Sequence, residues 1–388
     1  PSFAFRGMKR SDIATLSGEL EGFYGAVAGN YLQGLVDTNM RLLRSHHEHE
    51  HGPIGALDMG GSSTQIVFLP DASRTSLAST CPNTESNNNN NNSNNSNVEG
   101  NEDETCDSPY ALDGDHFFST SYLSYGVDQF RERLWSTLVK ERLDETEDES
   151  CTNKYVQNPC ANKGFEVEWQ GFTLIGTGDT DECIRQTRRL IPHPENPHDN
   201  HEEEGVVNQV GGVQHPPVRG KFLAMSLYFF SLDSLRVFSE PNEEAHKALN
   251  LSWPNPSIEE LHNALDGLCS RDWHDDMAHQ HGAHDFTRAE VLPHRCIETV
   301  FMVTLLKDGY GFHPSSRDIT FTFLLDGDEV EWTLGMALSA NAEELSWNEE
   351  SESACNSTWE ECTAESWEDL LEDSNGSFLI SEATTHMQ

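Results

Sequence analysis

The sequence predicts an α/β fold. Short strand-like runs alternate with amphipathic helical stretches along most of the chain. Two apolar runs, within Ile54 to Leu69, are joined by a glycine turn. Hydrophobic residues make up 36% of the chain, which is enough to close a core once the polar inserts are set aside.

Residues 11–44 read as helical. SDIATLSGELEG opens with a cap signal and is expected to end at Gly22. GAVAGNYLQGLVDTNMRLL then carries apolar residues at helical spacing, and HHEHEH, His46 to His51, breaks the pattern. After the hairpin comes an asparagine-rich, acidic insert, 82–108, between Cys81 and Cys106. Low-complexity asparagine buries too little apolar surface to fold, so a disordered loop is expected there. Residues 117–143 hold an amphipathic helix, YGVDQFRERLWSTLVKERL, that runs into DETEDES.

Phe165 to Ile175 alternates like one strand and meets GTGDTDECIRQTRRLI, a turn followed by a helix. Residues 192–205 read as a loop. Phe222 to Phe238 reads as a buried helix, or as a strand followed by a helix. Residues 242–268 look helical, 271–288 form a His/Asp-rich loop, Cys296 to Leu306 reads as helix and Ile319 to Leu325 as strand. Beyond Ala342 the chain turns acidic and loses periodicity, as a solvated tail does. There is no repeat at solenoid period. No apolar run reaches the roughly 18 residues of a membrane span. The N-terminus, PSFAFRGMKRSD, lacks the apolar stretch of a secretory signal and an initiator Met, so the chain reads as a fragment of a longer one.

The 24 Lys and Arg against 66 Asp and Glu leave a formal charge of −42. Such a field repels nucleic acid and anionic membranes. It also repels a nucleotide, so a nucleotide site here needs local donors and a divalent cation. Nine cysteines, none in close C-x-x-C spacing, suit disulfides in an oxidising compartment, against the alternative of free thiols in a cytosolic protein. Glycosylation sequons at Asn91, Asn94, Asn250, Asn356 and Asn375 point the same way.

The residues richest in chemistry are Asp58-Met59-Gly60-Gly61-Ser62-Ser63-Thr64-Gln65. An apolar strand delivers an acid to its C-terminal end. Two glycines let the backbone turn tightly and approach a ligand. Successive N–H groups in such a turn form an anion nest, and three hydroxyls and an amide follow. Asp58 repels a phosphate but suits a hydrated divalent cation that bridges to one. The structural alternative is a tight hairpin with a polar tip. The runs HHEHEH and HDDMAHQHGAHD, His274 to Asp285, carry metal-capable side chains without a catalytic zinc spacing, and such runs are more often solvated loops.

GALDMGGSSTQIVF, Gly55 to Phe68, resembles the GALDLGGASTQ segment of the apyrase (ectonucleoside triphosphate diphosphohydrolase) family. ELEGFYGAVAGNYLQG, Glu19 to Gly34, is similar to that family's EEGxYGWxxxNYLLG segment. YLSYGVDQFRERL, NPCANKGF with GTGDTDEC, PPVRGKFLAMSLYFF, GYGF and WTLGMAL match further family segments in the same order, from about residue 17 to 340.

The resemblance implies two ribonuclease-H-like lobes of the actin and sugar-kinase superfold, with a nucleotide in the cleft between them. It makes residues 1–310 the second lobe, 311–341 a segment returning toward a first lobe missing from this sequence, and 342–388 the acidic tail. It also implies hydrolysis of nucleoside tri- and diphosphates with Ca²⁺ or Mg²⁺, in the secretory pathway or at the cell surface, with room for a membrane anchor in the missing part. Residue by residue, Glu21 matches the general base, Asp58 the acid that organises the metal through water, and Gly60 and Gly61 the phosphate-cradling amides. Ser63 and Gln65 match the residues that position water, and Ser62 and Thr64 complete the phosphate loop. Phe230 falls where the family stacks an aromatic on the base, although a core phenylalanine is the alternative.

The implied disulfides are Cys160 with Cys183 and Cys269 with Cys296. Cys81 with Cys106 and Cys355 with Cys362 could pair, which leaves Cys151. Ala26, Ser124 and Val127 depart from the family's Trp, Cys and Lys or Arg, and the last departure puts a cationic contact in doubt. An exopolyphosphatase of the same superfold, or an inactive nucleotide-binding fragment, are the competing functions.

Overall fold

The computed structural model describes residues 15–43, 53–70, 112–144, 154–192, 209–239 and 251–342. The HHEHEH run, the Asn-rich insert, all five sequons, Cys81, Cys106, Cys151, Cys355, Cys362 and the tail beyond 342 lie outside the described residues.

Helix α1 spans Gly18–Leu32, and the Ser17 hydroxyl caps it by accepting from Leu20 N at 3.3 Å. The helix runs straight through Gly22, where the sequence suggested an end. It stops instead near Gln33, whose N–H bonds back to Gly29 O, and Gly34 follows at φ 68°. Residues 33–43 are therefore a turn closed by a Val36–Leu42 bridge, not helix.

Strands β1 (Gly55–Met59) and β2 (Ser63–Phe68) form the expected hairpin, with Asp58 opposite Gln65. Strand β3 (Phe118–Leu123), which precedes the expected amphipathic helix, adds antiparallel to β2. Helix α2 is Val127–Asp144. The run expected as one strand from Phe165 is a hairpin, because Gln170 (φ 47°) and Gly171 (φ 81°) turn the chain back. With β4 (Tyr155–Asn158), its arms β5 (Glu166–Trp169) and β6 (Phe172–Gly176) make a small sheet in the order β4–β6–β5. Helix α3 is Thr180–Leu190, and β7 (Gln209–Val210) and β8 (Val213–Gln214) form a minimal hairpin. Then come β9 (Phe222–Ala224), α4 (Leu227–Phe238), α5 (Ile258–Cys269), α6 (Arg295–Thr304) and β10 (Ile319–Phe321). A last pair, β11 (Leu324–Leu325) and β12 (Asp328–Glu329), is short.

The main sheet has the order β10–β9–β1–β2–β3, with β1, β2 and β3 antiparallel and β1, β9 and β10 parallel. Three antiparallel strands continued by two parallel ones, with helices on both faces, are the ribonuclease-H-like arrangement that the resemblance implied. Helix α1 covers one face, across β1, β2 and β3, and α4 packs on β1 and β10 from the other side. Behind α4 the core continues through α5 and α6, and Phe130 of α2 stacks on Phe301 of α6 with centroids 3.8 Å apart.

Helix α1 meets the sheet through glycines. A Cβ on Gly18 would lie 2.1 Å from Ser121 Oγ, and one on Gly22 would lie 2.8 Å from Val67 Cγ2. A Cβ on Gly29 would lie 3.0 Å from Leu223 Cδ2, and one on Gly25 would meet Met225 Cε at an ordinary 3.6 Å. The spacing of these four glycines keeps them on one stripe of the helix. A larger side chain at Gly18 or Gly22 would push α1 away from the strands. The helical residues 332–339 also reach α1, since a Cβ on Gly335 would lie 1.9 Å from Tyr24 O.

Both disulfides implied by the resemblance are formed within the described residues: Cys160–Cys183 ties the turn after β4 to α3, and Cys269–Cys296 ties α5 to α6. Among the described residues no helix is long and apolar enough to cross a membrane.

Candidate active site

Alternation along β2 sorts the loop residues onto two faces. Gln65 points toward α1 and Thr64 points away from it. Glu21 sits in the first turn of α1, directly before Gly22, so the close approach of that glycine to Gln65 and Val67 carries the carboxylate to the strand. Gln65 is only 2% exposed. Its Nε2 donates toward Ser63 Oγ at 3.0 Å, Ser121 Oγ at 3.1 Å and Glu21 Oε2 at 3.3 Å. The structure thus brings together Glu21, Ser63 and Gln65 from two distant segments. It adds Ser121, which sequence reading missed. Ser121 stands directly opposite Gln65 on β3, so pairing β3 with β2 was the signal that could have found it.

The tip of the hairpin has a defined polarity. The N–H of Val127 donates to Gly60 O at 3.0 Å, those of Asp128 and Gln129 donate to Gly61 O at 3.0 and 3.1 Å, and that of Ser124 donates to Ser62 O at 2.9 Å. The start of α2 thereby takes up the carbonyls of the turn. The N–H groups of Gly61 and Ser62 donate to no described residue. Gly126 makes this contact possible, since a Cβ there would lie 2.3 Å from Gly61 C and Ser62 N. The Gly60 N–H corrects the expectation of a phosphate-cradling amide there, because it donates to Ser63 O at 2.9 Å and closes the turn. Gly61, Ser62 and Ser63 therefore present the outward amides and hydroxyls, the geometry of an anion nest.

Thr64 corrects the expectation of a fourth donor to phosphate. It is 0% exposed, its hydroxyl donates to Asp58 O at 2.7 Å, and it lies 3.2 Å from Tyr228 OH. Its side chain fastens the turn from the core side and does not reach the open tip.

Asp58 is the penultimate residue of β1, beside the start of α4. Burial pushes its carboxyl above the ordinary range, opposed by hydrogen bonds from the Ser226 hydroxyl and the Met59 N–H. Burial also raises Glu21, and the nearby negative charge of Asp58 adds to that. Among the described residues Asp58 pairs with no Lys or Arg. Among the described residues no group of three or more His, Cys, Asp or Glu is placed to hold a metal, and that includes the 274–285 histidine run. One partly buried carboxylate without a cationic partner fits a divalent cation held through water and ligand oxygens, not a cage of protein ligands. His284 from that run is instead a buried fastener, with Nε2 3.0 Å from Asp233 Oδ2 and Nδ1 2.7 Å from Thr287 Oγ1.

Phe230 is not part of the Gln65 cluster. It lies one turn into α4, half-buried, in a group of rings with Phe286 (centroids 5.2 Å apart), Phe323 (5.5 Å) and Phe229 (5.4 Å). Phe286 remains 37% exposed, so the group has an open side. The buried Arg295 holds its loop by donating to Phe286 O at 3.0 Å and Thr287 Oγ1 at 2.9 Å.

The sequence model of the GDA1/CD39 (nucleoside phosphatase) family matches residues 3–354. The chain belongs to the GDA1/CD39 family. Within that family it is similar to ectonucleoside triphosphate diphosphohydrolase 8 of Bos taurus, 27% identical over 346 residues, covering 84% of this chain and 58% of the relative. It is also similar to ectonucleoside triphosphate diphosphohydrolase 1 of Mus musculus, 24% identical over 363 residues, covering 87% of this chain and 58% of the relative. A solved structure described as nucleoside triphosphate hydrolases from Neospora caninum aligns with 86% of this chain and 65% of its own, at 14% identity and a TM-score of 0.49. The chain spans 58% of the length of these GDA1/CD39 relatives.

Proposed function

We propose that the protein containing this chain hydrolyses nucleoside tri- and diphosphates to the monophosphate, by in-line attack of water on the terminal phosphorus. The observation that carries this reading is the meeting of Glu21, Ser63 and Gln65 beside a turn whose outward N–H groups are unpaired. In this reading the amides of Gly61 and Ser62 with the hydroxyls of Ser62 and Ser63 hold the terminal phosphate, and Gly60 shapes the turn through its N–H bond to Ser63 O. Gln65 and Ser63 orient the water, and Glu21 takes its proton. A carboxyl raised by burial is suited to that task, because proton transfer is most effective when the base's pKa lies closer to the working pH. No covalent intermediate is needed, since positioning and charge neutralisation supply the rate.

Ca²⁺ or Mg²⁺, held from Asp58 through water, would neutralise phosphate charge that a chain of −42 otherwise repels. Phe230 would stack on the base. The opposite wall of the cleft would come from sequence outside this chain, which fits its 58% coverage of the relatives. Two formed disulfides support the secretory pathway as the site of action.

The test is phosphate release from ATP, ADP, UDP and polyphosphate by the protein containing this chain, with Mg²⁺ or Ca²⁺. Nucleotides are the expected substrates, and Glu21→Ala or Ser63→Ala is expected to lower turnover by about 10²–10⁴-fold. Unchanged release from either variant would remove the assigned roles, and a preference for polyphosphate would move the chain to the exopolyphosphatase reading.

A further inference from the structure

We propose that Ser121 is a positioning residue for the reaction, acting through Gln65. The proposal rests on the hydrolytic reading above. An amide nitrogen has two protons, yet Gln65 Nε2 has three oxygen neighbours: Ser63 Oγ at 3.0 Å, Ser121 Oγ at 3.1 Å and Glu21 Oε2 at 3.3 Å. The two hydroxyls are nearer and the carboxylate takes the weakest share. Ser121 therefore does two things. The carboxylate, which only accepts, sets Nε2 as the end that faces it, and Ser121 holds the amide there by accepting from Nε2, leaving Gln65 Oε1, which accepts from no described residue, as the end able to accept from water. Ser121 also draws an amide proton away from Glu21, so the base is not quenched by a full hydrogen bond from its neighbour.

Ser121 is itself held in place. It sits directly opposite Gln65 in the β2–β3 register. Gly18 of α1 lies so close that a Cβ there would fall 2.1 Å from Ser121 Oγ. Two positions further along the same face, Ser119 Oγ donates to Glu19 O at 2.6 Å. The β3 edge thus grips the first turn of α1, which carries Glu21, from two serines, and one of the two also reaches Gln65.

The test is a double-mutant cycle in the protein containing this chain, reading kcat and KM for ADP with Mg²⁺, with thermal melting as the check on folding. Ser121→Ala is expected to lower kcat about tenfold, the size of one net hydrogen bond, with KM within twofold. Gln65→Ala is expected to lower kcat further. Adding Ser121→Ala to Gln65→Ala should then cost nothing more, because the serine works through an amide already gone. A Ser121→Ala protein with the parent's kcat, or a double variant whose losses multiply, overturns the proposal. Glu21→Gln keeps the two readings apart. If it keeps full turnover, the catalytic reading falls and the Ser121 role with it. If it is inactive while Ser121→Ala turns over normally, only the Ser121 assignment is lost.

Discussion

The carboxamide of Asn30 pairs with the backbone of Ile54 as a neighbouring strand would. Oδ1 accepts from Ile54 N at 3.0 Å and Nδ2 donates to Ile54 O at 2.9 Å, while Nδ2 also reaches Ala26 O at 2.8 Å. One fully buried side chain thus locks α1, which carries Glu21, to the entry of β1, which carries Asp58.

Asn30→Ala should therefore be costly out of proportion to its size. It leaves the N–H and C=O of Ile54 without partners, at about 1–3 kcal/mol for each buried group. Asn30→Asp should do no better, because a carboxylate cannot donate to Ile54 O. Denaturant melts of the chain would check this, and an unchanged midpoint for Asn30→Ala would show that the lock carries no weight.

Two glycines, one in the turn and one in the segment packed on it, should behave oppositely. A Cβ on Gly126 would meet backbone at 2.3 Å, so Gly126→Ala forces the turn and α2 apart and should lower stability by about 1–3 kcal/mol. A Cβ on Gly60 has as its nearest neighbour Ser63 O at 3.6 Å, an ordinary contact, so Gly60→Ala should melt within about 1 kcal/mol of the parent. Equal losses in the two variants would contradict the described packing.

Asp58 and Glu21 both have carboxyls raised by burial, so the folded chain binds their protons more tightly than the unfolded chain does. Their favourable contribution is complete below the unfolded carboxyl range and is lost as pH rises through the raised values. Without divalent cation, Asp58→Asn is expected to melt above the parent at neutral pH, and the gap should narrow as pH falls. Adding Mg²⁺ or Ca²⁺ should raise the melting temperature of the parent but not of Asp58→Asn. A variant that melts lower at neutral pH would show that the Ser226 and Met59 hydrogen bonds outweigh burial.

Removing Cys269–Cys296 by Cys269→Ser with Cys296→Ser should cost about 2–4 kcal/mol, as should the matching change at Cys160–Cys183. Thermal melting with and without reductant checks this, and the doubly substituted chains should no longer respond to reductant at the altered site.

Much of the site was legible because hairpin chemistry is local. Asp58, the Gly60–Gly61 turn and Gln65 follow from one stretch of sequence, and only the resemblance joined them to Glu21. What stayed hidden depends on contacts between segments. Gly22 reads as a helix end in a window of sequence, but against Val67 it is the residue that lets α1 approach. Thr64 and Ser63 look equivalent as hydroxyls, and only the pleat of β2 sends one to the core and the other to the tip. Ser121 lies in a polar run, FSTSYL, with no apolar alternation to announce a strand, so its place opposite Gln65 emerges only once β3 is paired.

The first turn of α2 gives the hairpin tip a property that neither has alone. With the oxygens of Gly60, Gly61 and Ser62 committed to Val127, Asp128, Gln129 and Ser124, the three peptide planes are clamped in one sense. Rotating any of them to offer oxygen outward would break a bond at the start of the helix. The tip therefore holds the N–H groups of Gly61 and Ser62 outward whether or not a ligand is present, and a ligand arriving there has no peptide flip to wait for.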